Sequence, residues 1–372
     1  MHIEAVTLRK LAMRLKSPFE TSFGSSWDRD VLLVEIQSDG LTGWSEITVS
    51  ENPFYSPETS VTAWHICRDF LIPSLLGQNV ATASQACERF AAIRGHEMAR
   101  AGIENALWDI EAQQKRLPLW KLLGGVRQEI PSGVSLGIQD TPAKLLKQIE
   151  TEVNAGYQRI KIKIKPGKDF AYAAAARSEF PTIKLMVDAN SAYTLDDTEQ
   201  LKRFDALYLM MMEQPLWWDD IFAHAELQAQ LQTPICLDES IRHLRDAQTA
   251  MELKACRIVN IKLGRVGGHT AAREIQKHCL EKGVPAWCGG MLESGIGRAH
   301  NVAMSTLPGF TLPGDVAASK RYWVEDLIEP AVEVTPHGTI QVPQGPGIGY
   351  AVKRGLVERL TVARETFKSS KP

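Results

Sequence analysis

Asp188, Glu213 and Asp238 follow one another at intervals of 25 residues, closing the runs "VDAN", "MEQP" and "LDES". Carboxylates brought together at such intervals repel one another, which raises their pKa values, and a divalent cation relieves the repulsion. Oxygen-only ligands favour a hard ion that keeps water positions, so the pattern points to Mg2+, with Mn2+ as a substitute. The plainer reading is that each acid caps a helix or pairs with a lysine. It accounts for any one of them more easily than for three at matching places.

A second pattern is "RIKIKIKPG" (159–167), in which Lys161, Lys163 and Lys165 alternate with Ile162 and Ile164. In a strand the lysines share one face and the isoleucines the other. If the isoleucines pack on helices, the lysines point inward. Alternate side chains lie about 7 Å apart, where two ammoniums repel by about 2 kcal/mol at an effective dielectric of about 20. Desolvation acts in the same direction, so such a lysine gives up its proton more readily, as a general base requires. Lys262 closes a similar run, "RIVNIKLG". Its plain alternative, a salt bridge to Glu239 or Asp238, does not exclude catalysis.

These residues need elements to position them. "DVLLVEIQSDGLTGWSEI" alternates and breaks at Asp39-Gly40, a hairpin signal. Helical spacing follows around 58–72, 83–94 and 98–115, and stops before Pro118. From about 126, strand-like runs alternate with amphipathic helices, at 133–137, 159–165, 184–190, 207–215, 235–240, 257–264 and 285–290, with a short last one at 311–315. Eight such runs predict an α/β parallel barrel, whose chemistry sits at the C-terminal ends of its strands. The second and sixth strands would then face each other across the acid-bearing third to fifth. That places one lysine on each side of a substrate held by the cation. The division expected is an α+β capping domain over 1–125, a barrel over 126–320, and a C-terminal segment over 321–372 that packs back on the cap.

Composition narrows the function classes. The chain has 372 residues, 44% hydrophobic and 23% charged, with a formal net charge of -2. That is the profile of a globular protein of two domains, without the basic surface that nucleic acid requires. No run of eighteen apolar residues suggests a membrane span, and the N-terminus lacks the apolar core of a signal peptide. Six scattered cysteines without a Cys-x-x-Cys pair read as reduced thiols in a cytoplasmic protein. No His-x-His occurs, against the zinc hydrolases built on similar barrels, and there is no phosphate-binding loop.

"GIENALWDIEAQQKRLPLWKLLGG", "KIK", "VDAN", "MEQP", "LDES" and "NIKLGRVGG" occur in that order. Together they resemble the enolase superfamily in its muconate-cycloisomerase-like branch, from end to end. The resemblance implies a (β/α)7β modified TIM barrel with its capping domain. It implies a lysine base working with Mg2+ to abstract a proton alpha to a carboxylate, giving an enediolate. Pro-Gly three residues beyond the catalytic lysine selects Lys163 as base, with Lys161 as electrostatic neighbour and Lys165 at the rim; a shifted register would make Lys165 the base. Lys262 becomes the second catalytic lysine, and Asp188, Glu213 and Asp238 the metal ligands.

"GGMLESGIGRAHN" (289–301) and "LPGDVAASKRYWVEDL" (312–327) resemble the o-succinylbenzoate synthase and N-succinylamino acid racemase group. This implies a small-molecule carboxylate substrate bearing a succinyl group. The reactions would be syn dehydration of 2-succinyl-6-hydroxy-2,4-cyclohexadiene-1-carboxylate for menaquinone synthesis, and racemisation of N-succinylamino acids. Lys161, Ser135, Asn190 and the backbone around Gly290 and Met291 are the implied substrate contacts. The segment "SPFETSFGSSW" (17–27) resembles a lid loop that brings Phe19 and Phe23 to the substrate, ordinary domain packing being the plain alternative. Arg265 is expected to depress the Lys262 pKa and so favour a second base. Dipeptide epimerases carry Asp-x-Asp where this chain has Asp315 and Ala317, so that reading drops. A muconate-type cycloisomerase and a catalytically dead binding scaffold are the other readings. The resemblance also implies a homo-oligomer, a dimer or octamer.

Overall fold

In the computed structural model, residues 1–22 and 24–369 are described. Phe23 lies outside them. The N-terminal part is an antiparallel sheet of β1 (Ile3–Thr21), β2 (Gly24–Ser38) and β3 (Leu41–Ile47). Asp39 (φ 51°) and Gly40 (φ 75°) make the tight β2–β3 turn, the left-handed pair that a two-residue hairpin demands. Helix α1 (Glu97–Gln114) packs on β2 and β3 and is buried from Met98 to Ala112 apart from Arg100. Gly102 permits the close approach, since a methyl there would collide with Ile47. Each fully buried Leu or Ile in this layer contributes about 1.5–3 kcal/mol.

Seven strands then form a parallel sheet in sequence order: β4 (Gly133–Leu136), β5 (Arg159–Lys163), β6 (Leu185–Asp188), β7 (Met212–Glu213), β8 (Ile235–Leu237), β9 (Ile258–Ile261) and β10 (Ala286–Cys288). The intervening helices are α2 (Pro142–Asn154), α3 (Phe170–Glu179), α4 (Thr198–Lys202), α5 (Ile221–Gln228), α6 (Leu244–Glu252) and α7 (His269–Glu281), and α8 (Gly295–Ser305) follows the last strand. The chain is thus an α/β fold, a curled parallel sheet beneath a separate antiparallel cap. The eighth run expected at 311–315 is not a strand. Pro313 has no N–H to give a ladder, and only isolated bridges, Ala286 to Phe310 and Ser132 to Gly314, join β10 to β4 there.

Other expectations need correction. The run at 207–215 yields a strand of two residues, because Tyr208 turns left-handed at φ 49°. The helix expected over 83–94 stops at Glu88, and that over 58–72 carries a π-helical turn at Cys67–Leu71. Pro73 supplies the cause, having no N–H to continue the ladder and a ring that crowds the preceding turn. The lid is no irregular loop. After a break in register between Arg14 and Phe19, Phe19, Glu20 and Thr21 pair with Ser26, Ser25 and Gly24, so the β1–β2 hairpin continues into this segment. A last strand, β11 (Thr361–Lys368), pairs with β1 along its outer edge.

Alternation inside the curled sheet sets two layers. Met186, Met211, Cys236, Ile258 and Trp287 form a small apolar cluster of their own. Two residues further along their strands stand Asp188, Glu213, Asp238, Asn260 and Gly289. The same side chains that plug the interior therefore form a dry floor under the polar residues.

Candidate active site

The register of the sheet brings Lys163 level with Asp188, and Asp188 level with Glu213. Ile160 and Ile162 are buried in the main core, so the lysines of β5 face inward with the acids. Asp188, Glu213 and Asp238 are all buried, on three consecutive strands. On one flank, Lys163 Nζ donates to Asp188 Oδ2 and Asn190 Oδ1, each at 2.6 Å. On the other flank, Lys262 Nζ donates to Asp238 Oδ2 at 2.8 Å. Between them Lys161 Nζ reaches Glu213 Oε2 at 2.9 Å, Asp188 Oδ2 at 3.2 Å and Asp315 Oδ2 at 2.6 Å. The plain alternative for Lys262, a salt bridge to Asp238, is therefore present in the structure.

Electrostatics separates the lysines. Burial pushes Lys163 below the usual ammonium range, and the neighbouring Lys161 charge adds to this against the pull of Asp188. Burial, not repulsion between the lysines, is the larger cause. Burial also acts on Lys161, but Asp315, Glu213 and Asp188 outweigh it and raise its pKa. Lys262 is likewise raised against its burial, by Tyr55, Glu239 and Glu213. The net direction is thus opposite to the depression expected from Arg265. The Arg265 guanidinium is spent on Asp238, on the Asn260 and Ile241 carbonyl oxygens at 2.6 and 2.8 Å, and on the Tyr55 hydroxyl at 3.1 Å. It meets Lys262 only through the partners they share.

Asn190 is held at φ 43°, a backbone region uncommon outside glycine. Its backbone N–H donates to Asp188 Oδ1 at 3.1 Å and its side-chain amide to Glu239 Oε1 at 2.9 Å, which aims its oxygen at Lys163. Ser135 is buried beside Lys161 in the register, and its hydroxyl has no partner. Lys165 lies beyond the end of β5 and pairs with Glu20 of the hairpin at 3.1 Å. A cavity of about 440 Å³ opens over the lysines. Phe19, Tyr55, Lys163, Asn190, Lys262 and Met291 are among its lining residues, so cap and barrel both build it.

Two partners were not read from the sequence, and a third, Asp315, stood there only as one member of an incomplete Asp-x-Asp pair. Tyr55 donates to Asp238 at 3.3 Å and accepts from Lys262 at 3.0 Å, but lies in a cap segment without periodic signal. Asn260 donates to Glu213 Oε1 at 2.8 Å and Asp238 Oδ1 at 3.1 Å. Its place two residues before Lys262 was the available clue. Asp315 pairs with Arg159 at 2.7 Å as well as with Lys161, so its carboxylate is already neutralised.

Among the described residues no three acidic, histidine or cysteine side chains converge in a group able to hold an ion. Each of the three acids is turned to an amine instead. The donor chemistry nevertheless suits a hard cation. Glu239 Oε2 and Asn260 Oδ1 are buried acceptors without a partner, so the acids stand among more oxygen acceptors than the protein's own donors satisfy.

This fold and this array of acids and lysines define a class that comparison with known proteins identifies. Residues 2–124 match the Mandelate racemase / muconate lactonizing enzyme N-terminal domain, and residues 144–356 match the family described as Enolase C-terminal domain-like. The chain belongs to the enolase superfamily, in its muconate-cycloisomerase-like branch. Within it, the chain is 51% identical over 368 residues to an o-succinylbenzoate synthase of Geobacillus stearothermophilus, covering 99% of this chain and 98% of that one. It is 45% identical over 370 residues to an N-succinylamino acid racemase of Thermus thermophilus, covering the whole of both. A crystal structure of an enolase superfamily member from Listeria innocua superposes with a TM-score of 0.95 at 38% identity, over 99% of each chain. Among the described residues no helix is long and apolar enough to cross a membrane.

Proposed function

We propose that this protein is an Mg2+-dependent o-succinylbenzoate synthase that also racemises N-succinylamino acids. The observation that carries the reading is the placement of Lys163 and Lys262 on two flanks of Asp188, Glu213 and Asp238. The synthase and racemase names among its relatives support it. Asp188, Glu213 and Asp238 would hold the divalent ion, which supplies positive charge against the substrate carboxylate as negative charge develops there.

The remaining chemistry belongs to the side chains. Lys163, the amine with the lowered pKa, takes the alpha proton, and Asn190 keeps its nitrogen pointed at the reacting carbon. Lys161, held charged, faces the growing enediolate and stabilises it. In dehydration, Lys163 then delivers its proton to the leaving hydroxyl on the same face, and Lys262 serves only as a cation. In racemisation, Lys262 returns a proton from the other face. The unequal pKa directions of the two lysines match one direction of that exchange, base at Lys163 and acid at Lys262. Ser135 and the Gly290–Met291 backbone would orient the substrate.

The racemase as main role is the second reading, supported by the N-succinylamino acid racemases among the relatives. A dipeptide epimerase finds no support, because Asp315 is engaged and Ala317 stands where a second acid is needed. The test is to assay purified protein with both substrates. Both activities should vanish with a chelator and return with Mg2+. Turnover of neither substrate, or full activity in chelator, would refute the reading.

A further inference from the structure

The segment 289–294, between β10 and α8, forms one wall of the cavity through Gly290, Met291 and Leu292. Leu292 is held at φ 58°, which an L side chain adopts only when its surroundings enforce it. Within the segment, Met291 N–H donates to Glu293 Oε1 at 2.8 Å. Two further ties come from the cap. Arg29 of β2 donates through its terminal nitrogen to the Met291 carbonyl oxygen at 3.1 Å. Glu46 of β3 accepts from Ser294 N–H at 2.9 Å and from the Ser294 hydroxyl at 2.6 Å.

Both cap residues are buried, at 8% and 3% exposure, and each feels the other's charge. Burial pushes the Glu46 carboxyl up to about 7; the Ser294 hydroxyl opposes this, Glu293 adds to it and Arg29 opposes it. Glu46 also sits at the N-terminus of α8, where the helix dipole favours a negative charge. The tied segment presses on the chemistry. A Cβ on Gly289 would come within 2.7 Å of the Lys262 side chain.

We propose that Arg29 and Glu46 are positioning residues that fix the Gly290–Leu292 wall and thereby set how tightly the cavity grips its substrate. The inference rests on the reading that this cavity takes a succinylated carboxylate. Neither residue needs to touch the reacting atoms. Arg29 lines the cavity beside Met291 and holds its carbonyl, while Glu46, which does not line it, acts through Ser294.

The test combines kinetics with amide hydrogen exchange of peptides covering 289–294 in the full-length protein. For Arg29→Met and Glu46→Ala, KM should rise about tenfold, equivalent to about 1.4 kcal/mol, while kcat falls less than about threefold. Glu46→Gln, which keeps an acceptor oxygen, should recover most of the loss. Exchange should quicken within 289–294 and not across β5 or β6. Ser294→Ala, a milder change, should move KM and exchange the same way if a cap variant fails to fold. A fall in kcat at constant KM, or unaltered exchange in the segment, would overturn the proposal. A wild-type protein inert toward succinylated substrates would sink the functional reading instead, and exchange alone would then decide the brace.

Discussion

A single carboxylate, Asp238, receives Lys262, Arg265, Asn260 and Tyr55 at once. Arg265 is therefore coupled to Lys262 through the partners they share. Racemisation asks Lys262 to exchange a proton, whereas dehydration asks only for its charge. Arg265→Gln should slow racemisation by tenfold or more beyond its effect on dehydration, about 1.4 kcal/mol of difference. Parallel kinetics on the two substrates will show it, and equal losses would count against the shared-partner account. The key side chains were legible in the sequence because strand alternation and a 25-residue interval expose them. Tyr55 was not, since a hydrogen bond between distant segments leaves no period to find, and Asn260 showed only as the residue two places before Lys262.

Among the elements, α1 shows how a buried acid ties stability to pH. Glu58 accepts from the Met98 and Ala99 N–H groups at 2.8 and 2.9 Å, pairing two donors of the first helical turn. Burial nevertheless pushes its carboxyl from 4.5 up to about 7, more than those two bonds pull it down. With the native value the higher, the folded protein holds this proton more firmly than the unfolded chain does. The contribution to stability is complete below about 4.5 and is lost as pH rises toward about 7. Glu58→Gln should flatten that slope, by up to about 3 kcal/mol across the window, in urea unfolding at pH 5 and pH 7.5. An unchanged slope would contradict the assignment. Element type was legible where local signals were strong, as in the alternation of the β2–β3 hairpin and the stop of the helical run before Pro118. Strand ends were not, because Tyr208 and Pro313 stop ladders inside runs whose composition still reads as strand.

For the molecule as a whole, β11 closes the outer edge of the cap sheet from the far end of the chain. Truncation after Leu360 would bare a long strand edge that templates pairing between copies. Such a protein should melt roughly 5 °C or more lower and aggregate, as calorimetry and light scattering would detect; an unaltered melting point would show the pairing to be dispensable. The sequence suggests a C-terminal segment against the cap, but its pairing with β1 leaves no local pattern, since the two strands are separated by nearly the whole chain. The barrel's order was legible because its strands pair in sequence order. The most direct test of the central claim follows each enantiomer of an N-succinylamino acid in deuterated buffer with Mg2+. Wild-type protein should exchange and interconvert both. Lys163→Ala and Lys262→Ala should each lose racemisation by about a thousandfold or more, yet each should still exchange the alpha proton of one enantiomer, and opposite ones. If both variants exchange the same enantiomer, the two lysines do not lie on opposite faces of the substrate, and the account fails.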